Sequence, residues 1–187
     1  METLRNIASK VVVCKLCDLA LKRTNAVPGD GIPSSRLFIL GEAPGRYEDL
    51  RGHPFVGMSG KFLNKYLAYA EIKREEAFVT NAVKCRPPNN KKPRQDELLA
   101  CRPYLVGQLS VIKPKLVLAL GTSAASAIGI KFEHLSEVRG RLLDVELDSL
   151  KLKVFVTFHP SFPMRFKKPR ETFLGDLRIV GDLLKDK

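Results

Sequence analysis

With 187 residues, 44% of them apolar and 28% charged, the chain has the length and balance of one globular domain with a real hydrophobic core. No run of about 18 consecutive apolar residues occurs, which excludes a transmembrane helix. The net charge of +12 points to a polyanionic partner, because neutralising phosphates releases counterions and drives binding.

The N-terminal stretch has a short apolar run and no signal-peptide cleavage pattern, so it is expected to belong to a mature cytoplasmic fold. Near-continuous apolar runs at Ser35–Leu40, Ala77–Thr80, Lys115–Leu120 and Leu152–Phe158 read as buried parallel strands. Ser59 is placed to cap a helix whose Phe62, Leu63, Tyr66, Leu67 and Ala70 form one apolar stripe. Further helices are predicted over Arg94–Ile112, Thr122–Ile128 and Glu171–Leu184. Arg141–Leu147 reads as an extra strand that turns at Asp148-Ser149 to pair with the fourth. Alternating strands and helices without repeats or linkers predict a single domain over 1–187. Its architecture is a three-layer α/β/α sandwich around a short, mostly parallel four-stranded sheet.

The basic residues gather in two stretches, Lys84, Arg86, Lys91, Lys92 and Arg94, then Arg165, Lys167, Lys168 and Arg170. A merely basic soluble surface is the plainer alternative. Abundant Lys, Arg and Glu beside only Gln95 and Gln108 is a composition met in thermophiles.

All four cysteines, Cys14, Cys17, Cys85 and Cys101, suit one metal site. Cys-x2-Cys is a common ligand spacing, and a cytosolic chain seldom uses cysteines as disulfides. On spacing alone zinc and an iron–sulfur cluster fit equally well, and four ordinary buried thiols remain the bland alternative.

In open parallel sheets, ligands sit beyond the carboxyl ends of the strands. Here those ends read Gly41-Glu42-Ala43-Pro44-Gly45, Thr80-Asn81-Ala82-Val83, Gly121-Thr122-Ser123 and His159-Pro160-Ser161. Singly, Glu42 could cap a helix, Asn81 hold a turn and His159 begin a loop. Together they bring a carboxylate, an amide, a glycine turn and an imidazole to one edge, which mere binding does not require.

The stretches GEAPGRYEDLRGHPFVGMSGKFLNKYL (41–67), VTNAVKCRPPNN (79–90), the region from Cys101 to Leu105, KPKLVLALG (113–121) and FHPS (158–161) resemble the family 4 uracil-DNA glycosylases. With the N-terminal Cys-x2-Cys they span most of the chain in the family's order. The resemblance implies a [4Fe–4S] cluster on the four cysteines and uracil-containing DNA, single- or double-stranded, as substrate. It also implies a monomeric, cytoplasmic, prokaryotic repair enzyme. A related branch carries a basic inserted loop after the asparagine motif and bonds covalently to its DNA. Between Cys85 and Cys101 no such loop is found, which favours a hydrolase. Neither terminus shows a clear sliding-clamp peptide.

In that reading the uracil nucleotide rotates out of the stack into a pocket. Phe55 matches the position that stacks on the flipped base, and Ala43 would line the pocket beside it. The Asn81 amide would pair with uracil N3–H and O4. His159 would donate to the charge growing on O2, and Glu42 would stabilise the sugar cation or orient water. Glu48 is expected near uracil C5, where it would disfavour the methyl of thymine. Ser161 and the following Phe162, Pro163, Met164 and Arg165 are expected to meet DNA as a loop that fills the gap left by uracil. Gly57 and Ser59 would offer backbone N–H groups to phosphate, and Lys84 and Arg86 would add positive charge. A metal-stabilised nucleic-acid-binding module and a glycosylase for another base are the competing readings.

Overall fold

In the computed structural model, residues 2–185 are described; Met1, Asp186 and Lys187, included in the domain expected over 1–187, lie outside them. The strands are β1 (Leu37–Gly41), β2 (Ala77–Asn81), β3 (Leu116–Leu120), β4 (Leu142–Leu147) and β5 (Leu150–Thr157). The helices are α1 (Leu4–Val13), α2 (Arg46–Arg51), α3 (Met58–Tyr69), α4 (Gln95–Ile112), α5 (Thr122–Ala127), α6 (Ser161–Arg165) and α7 (Lys168–Lys185).

One sheet runs in the order β2-β1-β3-β5-β4. All its pairings are parallel except the β4–β5 hairpin. The sheet thus has five strands where a body of four was expected. The addition is the hairpin partner anticipated near Arg141–Leu147, and its alternating exposed and half-buried pattern marks a strand at the margin.

Every residue of β1, β2 and β3 is buried, so each strand must be covered on both faces. Successive side chains alternate in direction. Leu37, Ile39, Leu116 and Leu118 meet Leu63 and Leu67 of α3 and Phe173, Leu177 and Val180 of α7. On the other face Phe38, Leu40, Val117 and Ala119 meet Leu105, Leu109 and Ile112 of α4 with Ala124 and Ala125 of α5. The expected three-layer arrangement follows from that alternation.

Three helices were not foreseen. α1 buries Ile7 and Val11 against Tyr104 and Val111 of α4, a stripe too short to stand out by periodicity. α2 has only six residues, and α6 replaces a predicted loop. The α3 helix is capped by Gly57 rather than Ser59: it begins at Met58, so Ser59 already lies in its first turn.

The free edge of β2 is covered by the preceding segment. Asp30 and Val79 exchange both backbone hydrogen bonds, Val27 N–H donates to the Lys84 carbonyl, and Thr80 Oγ1 donates to the Pro28 carbonyl at 2.9 Å. Among the described residues no helix is long and apolar enough to cross a membrane.

Leu118 lies fully buried in the central strand β3. Its replacement by Ala should cost about 3 kcal/mol, as large-to-small core changes do. A urea midpoint equal to the wild type would contradict this packing.

Candidate active site

Parallel pairing fixes the first pair of functional groups. Gly41 stands in register with Asn81, and pairing continues beyond the strands as Ala82 N–H donates to the Gly41 carbonyl and Val83 N–H to the Glu42 carbonyl. Glu42 and Asn81 therefore leave the sheet side by side. The third strand contributes Gly121, whose φ of 84° is left-handed. A β-carbon there would press against His159 Cβ at 3.0 Å, so the absent side chain lets the β3 and β5 ends close together.

These ends open into a cavity of about 400 Å³. Its walls include Glu42, Ala43, Glu48, Phe55, Ser59, Asn81, His159, Ser161 and Arg165, all expected from sequence. Pro44, Gly45, Pro87, Asn90 and Lys91 complete it; Lys91 was expected only within a basic stretch and Pro44 and Gly45 only within the first strand end. Asn89 and Asn90 both have left-handed backbone. An Asn-Asn pair is a signal for such a turn, although not for its place at a cavity mouth.

Phe55 also adopts a left-handed conformation, at φ 56°, yet its side chain is buried. Bulky residues hold such a backbone only where their surroundings enforce it. The phenyl ring stands 6.4 Å from the His159 imidazole between centroids. Beneath it, any side chain on Gly41 would overlap both the Phe55 ring and Asn81 Oδ1. The glycine thus lets an aromatic face and an amide approach across one strand end.

Glu42 is oriented by a residue that the sequence did not disclose. Buried Ser123, in the first turn of α5, donates its hydroxyl to Glu42 Oε2 at 2.6 Å. Only the Gly-Thr-Ser turn after β3 hinted at it.

His159 is held from behind. Ser161 N–H donates to Nδ1 at 3.3 Å and Ser161 Oγ lies 2.8 Å from the same nitrogen. An accepting Nδ1 places the proton of the neutral imidazole on Nε2. Burial lowers the His159 pKa, opposed by the charges of Glu42 and Glu48. The neutral form therefore prevails at neutral pH.

Glu48 serves the loop more than the solvent. Its Oε2 accepts from Gly45 N–H at 3.1 Å and its Oε1 from Gly57 N–H. One buried carboxylate thus ties both arms of the 45–57 loop. This corrects the reading of Gly57 as a phosphate donor, since its N–H is already engaged. Asp49 is likewise structural, accepting from Thr24 N–H and Asn25 N–H. His53 lies exposed, 3.9 Å from Asp30 Oδ2.

Of the remaining residues expected at DNA, Phe162 is exposed, Met164 half-buried and Pro163 buried. Phe162 continues an aromatic row, 5.0 Å from Phe158 and 5.4 Å from Phe166. Arg86 donates to Asn90 Oδ1 at the surface. Lys84 corrects the expectation outright, because it is buried and reaches no solvent. Its Nζ is enclosed by Thr80 Oγ1, the Asn81 carbonyl and Gln108 Oε1, and burial pushes its pKa down to about 7.

The four cysteines surround one small cavity behind the site, joined there by Arg23, Lys84 and Tyr104. Cys14 ends α1, Cys17 precedes a 3-10 turn, Cys85 follows β2 and Cys101 belongs to α4. All four are free thiols. Arg23 donates to Cys85 Sγ at 2.9 Å and to the Val12 and Cys14 carbonyls, while Leu16 N–H points at Cys14 Sγ. Burial raises the thiol pKa values of Cys17, Cys85 and Cys101, the last to about 11. Among the described residues no group of three or more His, Cys, Asp or Glu is gathered for a metal ion.

The family model of the uracil DNA glycosylase superfamily matches residues 28–178. Over 187 residues the chain is 40% identical to the type-4 uracil-DNA glycosylase of Archaeoglobus fulgidus, covering 98% of this chain and 94% of that one. The chain belongs to the type-4 uracil-DNA glycosylases. It is similarly 39% identical to the Thermotoga maritima type-4 uracil-DNA glycosylase, over 98% of this chain and 96% of that relative. The type-5 uracil-DNA glycosylase of Thermus thermophilus is 34% identical over 117 residues, 54% of this chain and 53% of its own.

The depressed pKa of His159 has a measurable sign. By NMR its imidazole should titrate below the usual value of about 6.5. The unfolded chain then takes up the proton first as pH falls through that value, so this group's contribution to stability declines on acidification and is complete above it. An imidazole titrating above the usual value would contradict the burial.

Proposed function

We propose that this glycosylase removes uracil from DNA by hydrolysing its N-glycosidic bond, with Glu42, Asn81 and His159 as the working groups. The observation that carries this reading is their convergence with Phe55 on one cavity at the sheet edge.

Uracil rotates from the stack into the cavity and lies on the Phe55 ring, a contact worth about 1–3 kcal/mol per base. The Asn81 amide pairs with N3–H and O4. Cytosine presents the opposite pattern and leaves those buried groups unpaired. As the C1′–N1 bond breaks, its electron pair passes to the base and the sugar gains cationic character. Nε2–H of neutral His159 donates to uracil O2, where negative charge grows. Glu42 faces the sugar, with one oxygen fixed by Ser123, and stabilises the cation or directs the water that adds to C1′. The water's second proton is released and the departing base is protonated from solvent. Glu48 stands at the cavity wall near the expected position of C5, its orientation locked by Gly45 and Gly57.

Arg165 at the cavity mouth, with exposed Phe162 and partly buried Met164, forms the surface that meets the DNA stack. Arg86 and Lys91 extend the basic margin. The enzyme acts as a cytoplasmic monomer.

The cysteine site holds a [4Fe–4S] cluster. A single tetrahedral zinc would draw four sulfurs to within about 3.8 Å of one another. Four thiols around one cavity supply equally the four ligands of a [4Fe–4S] cluster, the group that the resemblance to the family implies. Arg23 and the Leu16 N–H supply the donors such sulfurs take. Bound there, the cluster crosslinks α1, the end of β2 and α4; cleavage of the glycosidic bond requires no electron transfer.

An oligonucleotide carrying one uracil, incubated with the protein and then cleaved by alkali, should break at uracil but not at thymine or cytosine. Glu42→Gln should slow the reaction on the order of 100-fold with DNA affinity retained, as loss of a group acting on the transition state does. Equal rates for the variant and the wild type would remove Glu42 from the working groups, whereas DNA binding without any cleavage by the wild type would favour the binding-module reading. Iron and sulfide analysis should find both in the purified protein and show them reduced in Cys85→Ser. Stoichiometric zinc instead would overturn the cluster assignment.

A further inference from the structure

Lys84 follows the base-reading asparagine by three residues and precedes Cys85. Its side chain is buried, and its three ammonium protons meet Thr80 Oγ1 at 2.7 Å, the Asn81 carbonyl at 2.8 Å and Gln108 Oε1 at 2.8 Å. All three acceptors are neutral. No described carboxylate lies within ion-pair distance of it. A buried ammonium with neutral partners is costly unless negative charge stands close by. The groups that could supply it are the cysteine sulfurs, since Lys84 lines their cavity and its backbone N–H is directed to Cys101.

The Asn81–Ala82 peptide is held at both ends. Ala82 N–H donates to the Gly41 carbonyl, and the Asn81 carbonyl accepts from Lys84. That peptide sets the direction from which the Asn81 side chain enters the uracil cavity.

We propose that Lys84 is a positioning residue that couples the cysteine site to base recognition, its ammonium fixing the Asn81 peptide on one side and balancing ligand thiolates on the other. The proposal rests on the uracil and cluster readings above. In this arrangement one residue touches both sites, its backbone N–H directed to Cys101 and its side chain holding the Asn81 carbonyl, so the amide stays aimed. Gln108 completes the brace, donating to the Pro28 carbonyl at 2.6 Å and so tying it to the segment that covers β2.

The test compares wild-type protein with Lys84→Met and Lys84→Gln. Three quantities are measured: iron content, the midpoint potential of the cluster, and single-turnover excision alongside affinity for an abasic-site oligonucleotide. Lys84→Met should slow excision at least about 10-fold, since small misplacements of a binding group have large effects on rate. Abasic-site affinity should stay within about twofold, because the phosphate contacts that dominate it are untouched. The midpoint potential should become more negative, because a nearby positive charge favours the reduced cluster. Lys84→Gln keeps donors without charge, so its potential should shift similarly while excision falls less; it also decides the matter if the Met variant does not fold. A slower reaction with an unmoved potential would reduce Lys84 to a prop of the strand end and overturn the coupling, as would a moved potential with an unchanged rate. Wild-type protein that is active without iron would overturn the cluster reading and the coupling with it. That result is distinguishable because Lys84→Met would still slow excision.

Discussion

The pairing of β1 with β2 is the constraint on which the site depends. Parallel strands in register deliver their carboxyl ends to the same level, so Glu42 and Asn81 emerge together. The pairing extends one step past the strands, through Ala82 and Val83, and that extension stiffens the floor of the cavity. β3 and β5 bring Gly121 and His159 to the same level. Catalytic groups thus come from sequence positions far apart, and sheet hydrogen bonds set their spacing.

Two buried polar devices then shape what the sheet supplies. Glu48 gathers the loop that carries Phe55 by accepting from backbone N–H groups at both of its arms, and a carboxylate so engaged is hard to dislodge. Asp49, its neighbour, does the same for Thr24 and Asn25, binding the loop to the chain that follows the Cys-x2-Cys. The aromatic wall of the cavity and the cysteine region are therefore braced through adjacent acidic residues of one short helix.

Much of this was legible in the sequence. The strands announced themselves because burial on both faces leaves no polar position in Leu116–Leu120, and the strand-end rule then placed Glu42, Asn81 and His159. The misses share a cause. α2 has six residues, too few for a periodic signal, and the direction of a single side chain has none. Lys84 sits within a basic stretch and looked like a surface cation, yet the pleat that turns it inward depends on how the chain leaves β2. Glu48 is similar: composition shows an acid in a loop, while only the fold reveals that its oxygens face Gly45 and Gly57. Ser123 belongs to the Gly121-Thr122-Ser123 turn, but its partner Glu42 is distant in sequence, so its role could not be read there.

The covering of β2 bears on solubility as well as shape. An uncovered edge strand is a template for pairing with another chain, and proteins defend such edges by different means. At one margin, β4 and β5 carry Asp144, Glu146, Lys151 and Lys153, so charge discourages a visiting strand. At the other, β2 has the sequence Ala-Phe-Val-Thr-Asn, with no charge and high β-propensity. Its protection is the segment from Val27 to Asp30, which is tethered between the Cys-x2-Cys and the first strand. Release of the cysteine end would loosen that cover and leave an apolar edge open to its own kind, so damage there should appear as aggregation before it appears as unfolding.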